Sequence, residues 1–295
     1  MAVPDPRRGP AIDLHTHSTA SDGTLDPADL VLAAAAAGLS VVALTDHDTT
    51  AGWAPARAAL PDGLTLVPGA ELSCRWYPDG PAAPGVGLHL LAYLFDPGHD
   101  ALRTELARVR DARAHRAERM IELMRADGID VTWDEVRTHA AGGTVGRPHL
   151  AQALVRRGLV GTVAEAFAPR WLGRRYRLPK DDIDVFRALA LVRDAGGVPV
   201  FAHPRASRRG PTVPDSLIVD LAAAGLYGLE ADHEDHAPPE RDQIRALAGE
   251  LGLVVTGASD FHGANKTVRL GAHLTAPDQY ASIVAAGQGC AISAR

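Results

Sequence analysis

The feature that most limits the fold of this 295-residue chain is a series of seven short apolar runs, most of them separated by longer helical patterns. The runs lie at residues 11–15, 40–45, 64–69, 88–94, 197–203, 227–231 and 253–258. The helical patterns at 26–38, 214–225 and 238–252 each end in a glycine, which suits a helix C-terminus. Repeated βα units without a dinucleotide-binding glycine motif predict a parallel sheet closed, or nearly closed, into a barrel. We therefore expect an α/β barrel with its chemistry at the carboxyl ends of the strands.

The alternation of strands and helices stops between about Asp100 and Ile183. Apolar periodicity predicts a long helix from Asp100 to about Ala126. Shorter helices are predicted at 133–139, 147–157 and 162–167. We interpret residues 100–183 as an inserted helical subdomain that caps the substrate site, and residues 11–99 and 184–295 as the barrel domain.

Composition and charge exclude several classes of protein. The formal net charge of -6 argues against a protein held on long duplex nucleic acid by its overall field. The longest apolar run, residues 33–39, is too short to span a membrane, and the first ten residues lack an apolar signal region. The two cysteines, Cys74 and Cys290, form no disulfide framework, so we expect a cytoplasmic protein.

Two histidines stand one residue apart at the end of the first apolar run, in IDLHTHSTASDG at 12–23. Because residues i and i+2 of a strand face the same side, His15 and His17 can face one ion. Taken alone, the pair is equally compatible with a strand that simply ends in solvent.

The other predicted strands also end in histidines or carboxylates, which decides between these two interpretations. Nine residues share this placement: His15, His17, Asp22, His47, Glu71, His89, His203, Asp260 and His262. Imidazole and carboxylate without thiolate suit Mn, Fe or Zn better than Ca or Mg. Nine ligands exceed the need of one ion, so we expect two or three divalent metal ions, with manganese favoured. Clustered cations favour phosphate ester hydrolysis, because they bind phosphoryl oxygens and produce hydroxide at neutral pH.

The order and spacing of six motifs resemble the PHP (polymerase and histidinol phosphatase) superfamily of metal-dependent phosphoesterases. The motifs are DLHTHSTASDG, LTDHDT, GAELS, HLLAYLFD, FAHP and SDFHG, and the resemblance extends from Ile12 to about Leu270. They are most similar to the subgroup of 3',5'-nucleoside bisphosphate phosphatases and trimming 5'-to-3' exoribonucleases. The resemblance implies a distorted (β/α)7 TIM-like barrel, the PHP fold.

The resemblance also implies a role for each of the nine residues. It assigns His15, His17, Glu71 and Asp260 to one ion, makes Glu71 the bridge to a second ion held by His89 and His203, and assigns Asp22, His47 and His262 to a third. The catalytic residues would then be Asp22, His47, Glu71, Asp260 and His262. Asp46 is expected to orient an imidazole. We assign no metal role to His233 and His236.

Candidate substrate contacts lie mainly in the insert. Arg147 and His149 stand at a predicted helix N-terminus, a position suited to phosphate. The segment RWLGRRYRLPK at 170–180 joins cations to aromatic side chains that can stack a base. Its candidates are Arg174, Arg175 and Lys180, although the same composition is also typical of a solvated charged loop. Ser18 and Arg205, which flank two metal motifs, are further candidates.

The implied activity is hydrolysis of the 3' phosphate of nucleoside 3',5'-bisphosphates, and of short 5'-phosphorylated oligoribonucleotides, by attack of a metal-bound hydroxide. One alternative is a histidinol-phosphatase-like or other small-molecule phosphomonoesterase. A second alternative, from a different class, is a noncatalytic metal-binding regulatory module. We expect a small phosphorylated substrate as the partner, with no long duplex nucleic acid and no membrane. The segment RASRRGPTVP after FAHP is more basic than the subgroup leads us to expect and could alter substrate choice.

Overall fold

The computed structural model of the chain describes residues 9–80, 85–140 and 142–295. The strands in these ranges are β1 (Ile12–Thr16), β2 (Val41–Leu44), β3 (Thr65–Trp76), β4 (Val86–Tyr93), β5 (Ile183–Asp184), β6 (Val198–Ala202), β7 (Gly228–Asp232), β8 (Val254–Gly257) and β9 (Ser293–Ala294). The α-helices are α1 (Pro27–Ala36), α2 (Trp53–Ala58), α3 (Asp100–Ala126), α4 (Trp133–Ala140), α5 (Arg147–Arg156), α6 (Val163–Ala166), α7 (Val185–Asp194), α8 (Asp215–Ala223), α9 (Pro238–Leu251) and α10 (Pro277–Ala286).

Seven strands form one sheet in the order β1-β2-β3-β4-β6-β7-β8. A parallel bridge between Thr16 and Phe261 brings the two edges of this sheet together, so the barrel is nearly closed. The α/β barrel prediction is confirmed. The expectation that all strands run parallel is wrong for β4, which is antiparallel to both β3 and β6. The physical reason is the connection at 77–85, which is too short for the crossover that a parallel pair requires.

The reversed direction of β4 matters for the site. Parallel strands bring their carboxyl ends to one end of a barrel, whereas an antiparallel strand brings its N-terminal half to that same end. His89 lies in the first half of β4 and pairs with Ser73 of β3 and Ala202 of β6. It therefore lies beside His203, which directly follows β6.

Strand β1 is irregular where it approaches the site. Its register against β2 shifts between Asp13 and Thr16, and such irregularities re-aim side chains at barrel rims. His15 lies within this shift and is fully buried, and His17 follows the last residue of the strand. The two imidazoles nevertheless approach each other, with 3.0 Å between their Nε2 atoms.

Two hydrophobic clusters meet along α3. Leu102, Leu106 and Val109 in its first half pack in the cluster between the barrel sheet and its surrounding helices. Met120 and Met124 in its second half pack in a separate cluster that contains the apolar side chains of α4 and α5. The insert thus has a core of its own, and one continuous helix joins that core to the barrel.

Within the described ranges, no helix combines the length and the apolar character that crossing a bilayer requires.

Candidate active site

Glu71 lies at the centre of the histidine and carboxylate cluster. The sequence of β3 is apolar around this residue, so the carboxylate is carried into a buried position, with only 1% of the residue exposed. Its two oxygens face five imidazoles. The distances from Glu71 are 3.3 Å to His15 Nε2, 3.2 Å to His17 Nε2, 3.2 Å to His47 Nδ1, 2.7 Å to His89 Nδ1 and 3.0 Å to His203 Nε2. A carboxylate surrounded in this way has the position of a bridging metal ligand.

Three groups of side chains have ligand atoms within 4.8 Å of one another. The groups are His17, Asp22, His47 and His262; His15, His17 and Asp260; and His47, Glu71 and His89. His203 adds to the last group through its 3.0 Å approach to Glu71. The structure therefore brings all nine predicted ligands together. The assignment of each residue to a particular ion stays a prediction.

The chemistry of these atoms fits divalent cations. Asp22 Oδ1, His47 Nδ1 and His89 Nδ1 are buried, and although each lies close to another side chain of the cluster, none makes a hydrogen bond of suitable geometry with a described residue. Buried polar atoms are normally paired, so such a group of unpaired donors and acceptors calls for another partner. The partner must be positive, because carboxylate oxygens and unprotonated imidazole nitrogens both offer lone pairs and the three carboxylates are buried. These nitrogen and oxygen ligands suit Mn, Fe or Zn.

Backbone strain is concentrated at the same place. His203, Asp260 and Asp48 have φ values of 34°, 52° and 56°, in the left-handed region that residues other than glycine rarely adopt. Strained residues persist where the surrounding structure holds them, and they are frequent at functional sites.

The carboxylates and histidines shift one another's pKa values. Burial alone would lower the pKa of His17, but hydrogen bonds that its imidazole donates to Asp260 and Glu71 raise it to about 9. Burial lowers the pKa of His262 to about 4, and Lys266 adds to this effect. His262 and His47 hold the pKa of Asp22 well below its usual range despite its burial. The ionised carboxylates thus favour the presence of a positive charge at the centre of the site.

Glu230 supports the site from β7, although no motif in the sequence indicated it. Its Oε1 lies 3.0 Å from His15 Nδ1, and its Oε2 accepts a hydrogen bond of 2.9 Å from the backbone N–H of His203. The residue is fully buried. The only signal in the sequence is a single acidic residue inside the apolar run YGLEA.

His233 and Lys266 were also missed as site residues. Both reach the Oδ2 atom of Asp260, from His233 Nε2 at 3.2 Å and from Lys266 Nζ at 2.7 Å. His233, for which we expected no metal role, is thus beside the cluster, and Lys266 supplies a positive charge at its edge.

Asp46 contacts the cluster indirectly, through the side chains of two serines. It accepts hydrogen bonds from the hydroxyls of Ser18 and Ser21, at 2.6 and 2.7 Å, and Ser21 Oγ lies 3.4 Å from His17 Nδ1. Ser18 is fully buried and holds Asp46, so the structure does not present Ser18 to a substrate, contrary to our expectation.

A cavity of about 1170 Å³ adjoins the cluster at His89 and His203. Its cationic lining residues are Arg75, Arg116, Arg147, Arg177, Lys180 and Arg208. Its larger apolar lining residues are Val86, Leu88, Phe167, Leu178, Phe201 and Val213. Of the substrate contacts predicted from sequence, Arg147 and Lys180 therefore face the cavity.

None of the other predicted substrate contacts is among the residues that line the cavity. Arg174 and Arg175 are not among the residues that line the cavity, and Arg175 makes a two-pronged ion pair with Asp127. His149 is 1% exposed. Its Nδ1 accepts a hydrogen bond from the backbone N–H of Gly146, so its side chain caps α5. The Arg205 guanidinium donates to the carbonyl of Val213. Charge counts in the sequence did not distinguish these structural roles from contacts with substrate.

Comparison with known proteins agrees with this site. The family profile described as the PHP domain matches residues 13–128. A 5'-3' exoribonuclease of Haemophilus influenzae is 34% identical over 90% of this chain and 95% of its own length. A 3',5'-nucleoside bisphosphate phosphatase of Chromobacterium violaceum is 34% identical over 85% of this chain and 87% of its own.

A solved structure from Bifidobacterium adolescentis, described as a candidate metal-dependent phosphoesterase, superposes with a TM-score of 0.86. It is 35% identical, and the match covers 95% of this chain and 98% of the other. The barrel, the cluster and these similarities define a phosphoesterase, and hence a hydrolase. The chain belongs to the PHP family.

Proposed function

We propose that this phosphoesterase removes the 3' phosphate from nucleoside 3',5'-bisphosphates and trims short 5'-phosphorylated RNA. The observation that carries the proposal is the cationic wall of the cavity next to the cluster. Arg116, Arg147 and Arg177 reach this wall from the insert, and none of them makes an ion pair with a described residue. A substrate with a second phosphate supplies the missing negative charge.

The surroundings of these arginines strengthen this interpretation. Burial lowers the pKa of Arg147 to about 10, and repulsion from Arg177 and Arg113 contributes. Burial and the neighbouring Arg113 likewise lower the pKa of Arg116 to about 10. Like charges held together in a partly buried cavity disfavour one another, and a bound phosphate relieves that repulsion.

The cavity also offers apolar surface for a base. Phe167 lines it, and the Arg147 guanidinium lies 5.3 Å from the centre of the Phe167 ring. Leu88 and Phe201 provide further apolar surface on the barrel side. Aromatic and apolar surface beside arginine accommodates a nucleobase without requiring one particular base.

The nine residues of the cluster would hold two or three divalent cations, with manganese as our first choice. Such cations supply Lewis acidity to phosphoryl oxygens and lower the pKa of water. The chain itself orients the site: Glu71 would join two ions, and Asp22, His47, Asp260 and His262 would complete the catalytic set. Arg147 would anchor the 5' phosphate and so place the 3' phosphate at the cluster.

The names of two relatives, a 3',5'-nucleoside bisphosphate phosphatase and a 5'-3' exoribonuclease, support this choice of substrate class. The test is phosphate release by manganese-supplemented protein from adenosine 3',5'-bisphosphate, 3'-AMP and histidinol phosphate at matched concentrations. We expect the bisphosphate to be preferred and 5'-AMP to be its product. A preference for histidinol phosphate, or equal use of 3'-AMP, would contradict a 5'-phosphate anchor.

The variant Arg147→Ala makes this test specific. We expect it to raise KM for the bisphosphate at least about tenfold, with little change in kcat, because one charge-assisted contact is lost. Turnover of 3'-AMP, which has no 5' phosphate, should change little. Arg137→Ala is the matched control, because Arg137 is an exposed arginine of the insert whose one ion pair among the described residues is with Asp134.

A further inference from the structure

The loop 204–213, which follows β6, forms a part of the cavity wall that the proposed reaction of a bisphosphate does not use. Arg205 fastens this loop internally. Its backbone N–H donates to His236 Nε2 at 3.2 Å, its guanidinium donates to the carbonyl of Val213 at 2.7 Å, and it also forms an ion pair with Asp215. Because Val213 lies at the other end of the loop, these contacts hold both ends in a fixed arrangement.

Arg208 lies on this fastened loop and lines the cavity. Its side chain is exposed and makes no hydrogen bond or ion pair with any described residue. No aspartate or glutamate occurs among the described residues that line the cavity. Arg208 is thus a second location where the cavity offers an unneutralised positive charge.

The order of the strands places this charge away from Lys180, one of the cations of the insert. Strand β4 occupies one side of β3 at Cys74 and Arg75, so β5, which pairs with the same two residues, must occupy the other side. The lateral order at this end of the barrel is therefore β5-β3-β4-β6. At a spacing of about 4.8 Å between neighbouring strands, β5 and β6 are about 14 Å apart.

The residues that line the cavity follow that order. Lys180 shortly precedes β5, His89 lies on β4, and Arg208 follows β6. The metal-ligand side chains His89 and His203 thus lie between the Lys180 side of the cavity and the Arg208 loop. A bisphosphate bound with its 5' phosphate at the insert and its 3' phosphate at the cluster has no phosphate left for Arg208. An RNA strand has one, because its chain continues beyond the scissile phosphate.

From this geometry we infer that Arg208 binds the phosphate that follows the scissile phosphate on its 3' side. The inference rests on the proposed function and extends it, because it assigns the preference for trinucleotides and longer strands over dinucleotides to one residue. The loop 204–213 holds the downstream part of the strand, while the insert holds its 5' end.

The decisive substrates are the 5'-phosphorylated dinucleotide pNpN and trinucleotide pNpNpN. The dinucleotide contains only the scissile phosphate between its nucleosides, whereas the trinucleotide has one more phosphate on the 3' side. With 5'-labelled substrates, the initial rate of release of the first mononucleotide gives kcat/KM for each. We expect the trinucleotide to exceed the dinucleotide about tenfold in the unaltered protein, as one charge-assisted phosphate contact provides.

We expect Arg208→Ala to reduce the ratio of the two kcat/KM values to near one, and Arg208→Lys to retain part of it. The salt dependence provides a second measurement, because loss of one single-strand phosphate contact lowers the slope of log KM against log salt by about 0.7 for the trinucleotide. Arg137→Ala should leave both the ratio and the slope unchanged.

The outcomes separate this inference from the function on which it rests. If the unaltered protein prefers the trinucleotide and Arg208→Ala keeps that preference, or if it shows no preference at all, the role of Arg208 is overturned. If the protein hydrolyses the bisphosphate but neither oligonucleotide, the RNA part of the proposed function fails, and the role of Arg208 fails with it. If it hydrolyses none of these substrates, the proposed function itself is wrong.

Discussion

The carboxylate of Glu230 joins two candidate metal ligands, because its Oε1 lies 3.0 Å from His15 Nδ1 and its Oε2 accepts the backbone N–H of His203. A carboxylate on Nδ1 fixes the orientation of an imidazole, so that Nε2 of His15 points toward Glu71 and Asp260. The same carboxylate holds the backbone of His203, which has a positive φ. Glu230 is therefore a positioning residue for two sides of the cluster at once.

We expect Glu230→Gln to lower metal affinity or kcat/KM by about 10- to 100-fold, because carboxylates that orient metal-bound histidines typically have effects of this size. Titration of the protein with Mn²⁺, followed by activity and by thermal unfolding, measures both quantities. Glu250→Gln is the matched control, since Glu250 is exposed near the end of α9. Unchanged manganese dependence in Glu230→Gln would show that the contact with His15 has no positioning role.

Arg113 of α3 forms a buried ion pair with Asp48, with 2.9 Å between Nε and Oδ2. Asp48 also accepts hydrogen bonds from the backbone and the hydroxyl of Ser73. We expect Arg113→Met to lower the free energy of unfolding by about 3–5 kcal/mol, because it leaves the Asp48 carboxylate buried and unpaired. Thermal or denaturant unfolding measures this change.

Two further variants test the cause of this loss of stability. Adding Asp48→Asn to Arg113→Met should recover part of the stability, because a neutral amide replaces the unpaired charge. Arg103→Met, on the exposed side of the same helix, should change the free energy of unfolding by less than about 0.5 kcal/mol. An equal loss of unfolding free energy in Arg103→Met would show that the effect arises from helix propensity and not from the ion pair.

We expect Lys180 to give substrate binding a pH dependence. Burial lowers its pKa to about 8, and Arg113, Arg116 and Arg147 oppose its charge, although Asp182 favours it. The ammonium form is present below this pKa and is lost as the pH rises through about 8. We therefore expect KM for a 5'-phosphorylated substrate to rise between pH 7 and 9.

Arginine at this position stays charged over that range, so Lys180→Arg should abolish the rise in KM. Lys180→Met should have a high KM at every pH tested. Steady-state kinetics in one buffer series at constant ionic strength makes the comparison. A rise in KM that persists in Lys180→Arg would mean that another group titrates.

Divalent cations should stabilise the folded protein. After chelation, addition of Mn²⁺ at a hundredfold excess over its Kd should increase the free energy of unfolding by about 2.7 kcal/mol for each independent site. Asp22→Ala and His262→Ala should reduce this increase and abolish turnover while leaving the chelated protein folded. Asp29→Ala, in an exposed position on α1, is the control. Wild-type activity in either cluster variant would remove the third ion from the reaction.

The strands of the barrel could be predicted because buried strands read as short apolar runs. The direction of β4 could not be predicted from that pattern, because an apolar run has no direction and the run at 64–69 ends well before β3 does. Only the extension of β3 to Trp76 shortens the connection to 77–85. The two-residue strands β5 and β9 have no periodicity to detect. They exist because the long strand β3 leaves unpaired backbone on both sides where β2 and β4 end.

The nine cluster residues were predictable for a different reason: a barrel gathers its strand ends, so ligand-type residues at those positions meet. The role of Glu230 could not be predicted, because a single carboxylate in an apolar run forms no spaced pattern with other ligand-type residues. The insert arginines were only partly predictable, since Arg175 and Arg147 differ in their neighbours and not in their sequence pattern. Arg175 faces Asp127, whereas Arg147 faces the cavity, and tertiary structure alone determines this difference.

The continuous course of α3 through both hydrophobic clusters has a consequence for access to the site. A helix of 27 residues extends about 40 Å, and α3 contains no proline or glycine at which it could bend easily. An insert that is joined to the barrel by such a helix does not rotate away from it at this connection, because the rotation would require bending an intact helix. We therefore expect substrates to enter a passage of constant width, and an unpaired strand end, which is thinner than a double-stranded one, is the form of RNA that we expect it to admit.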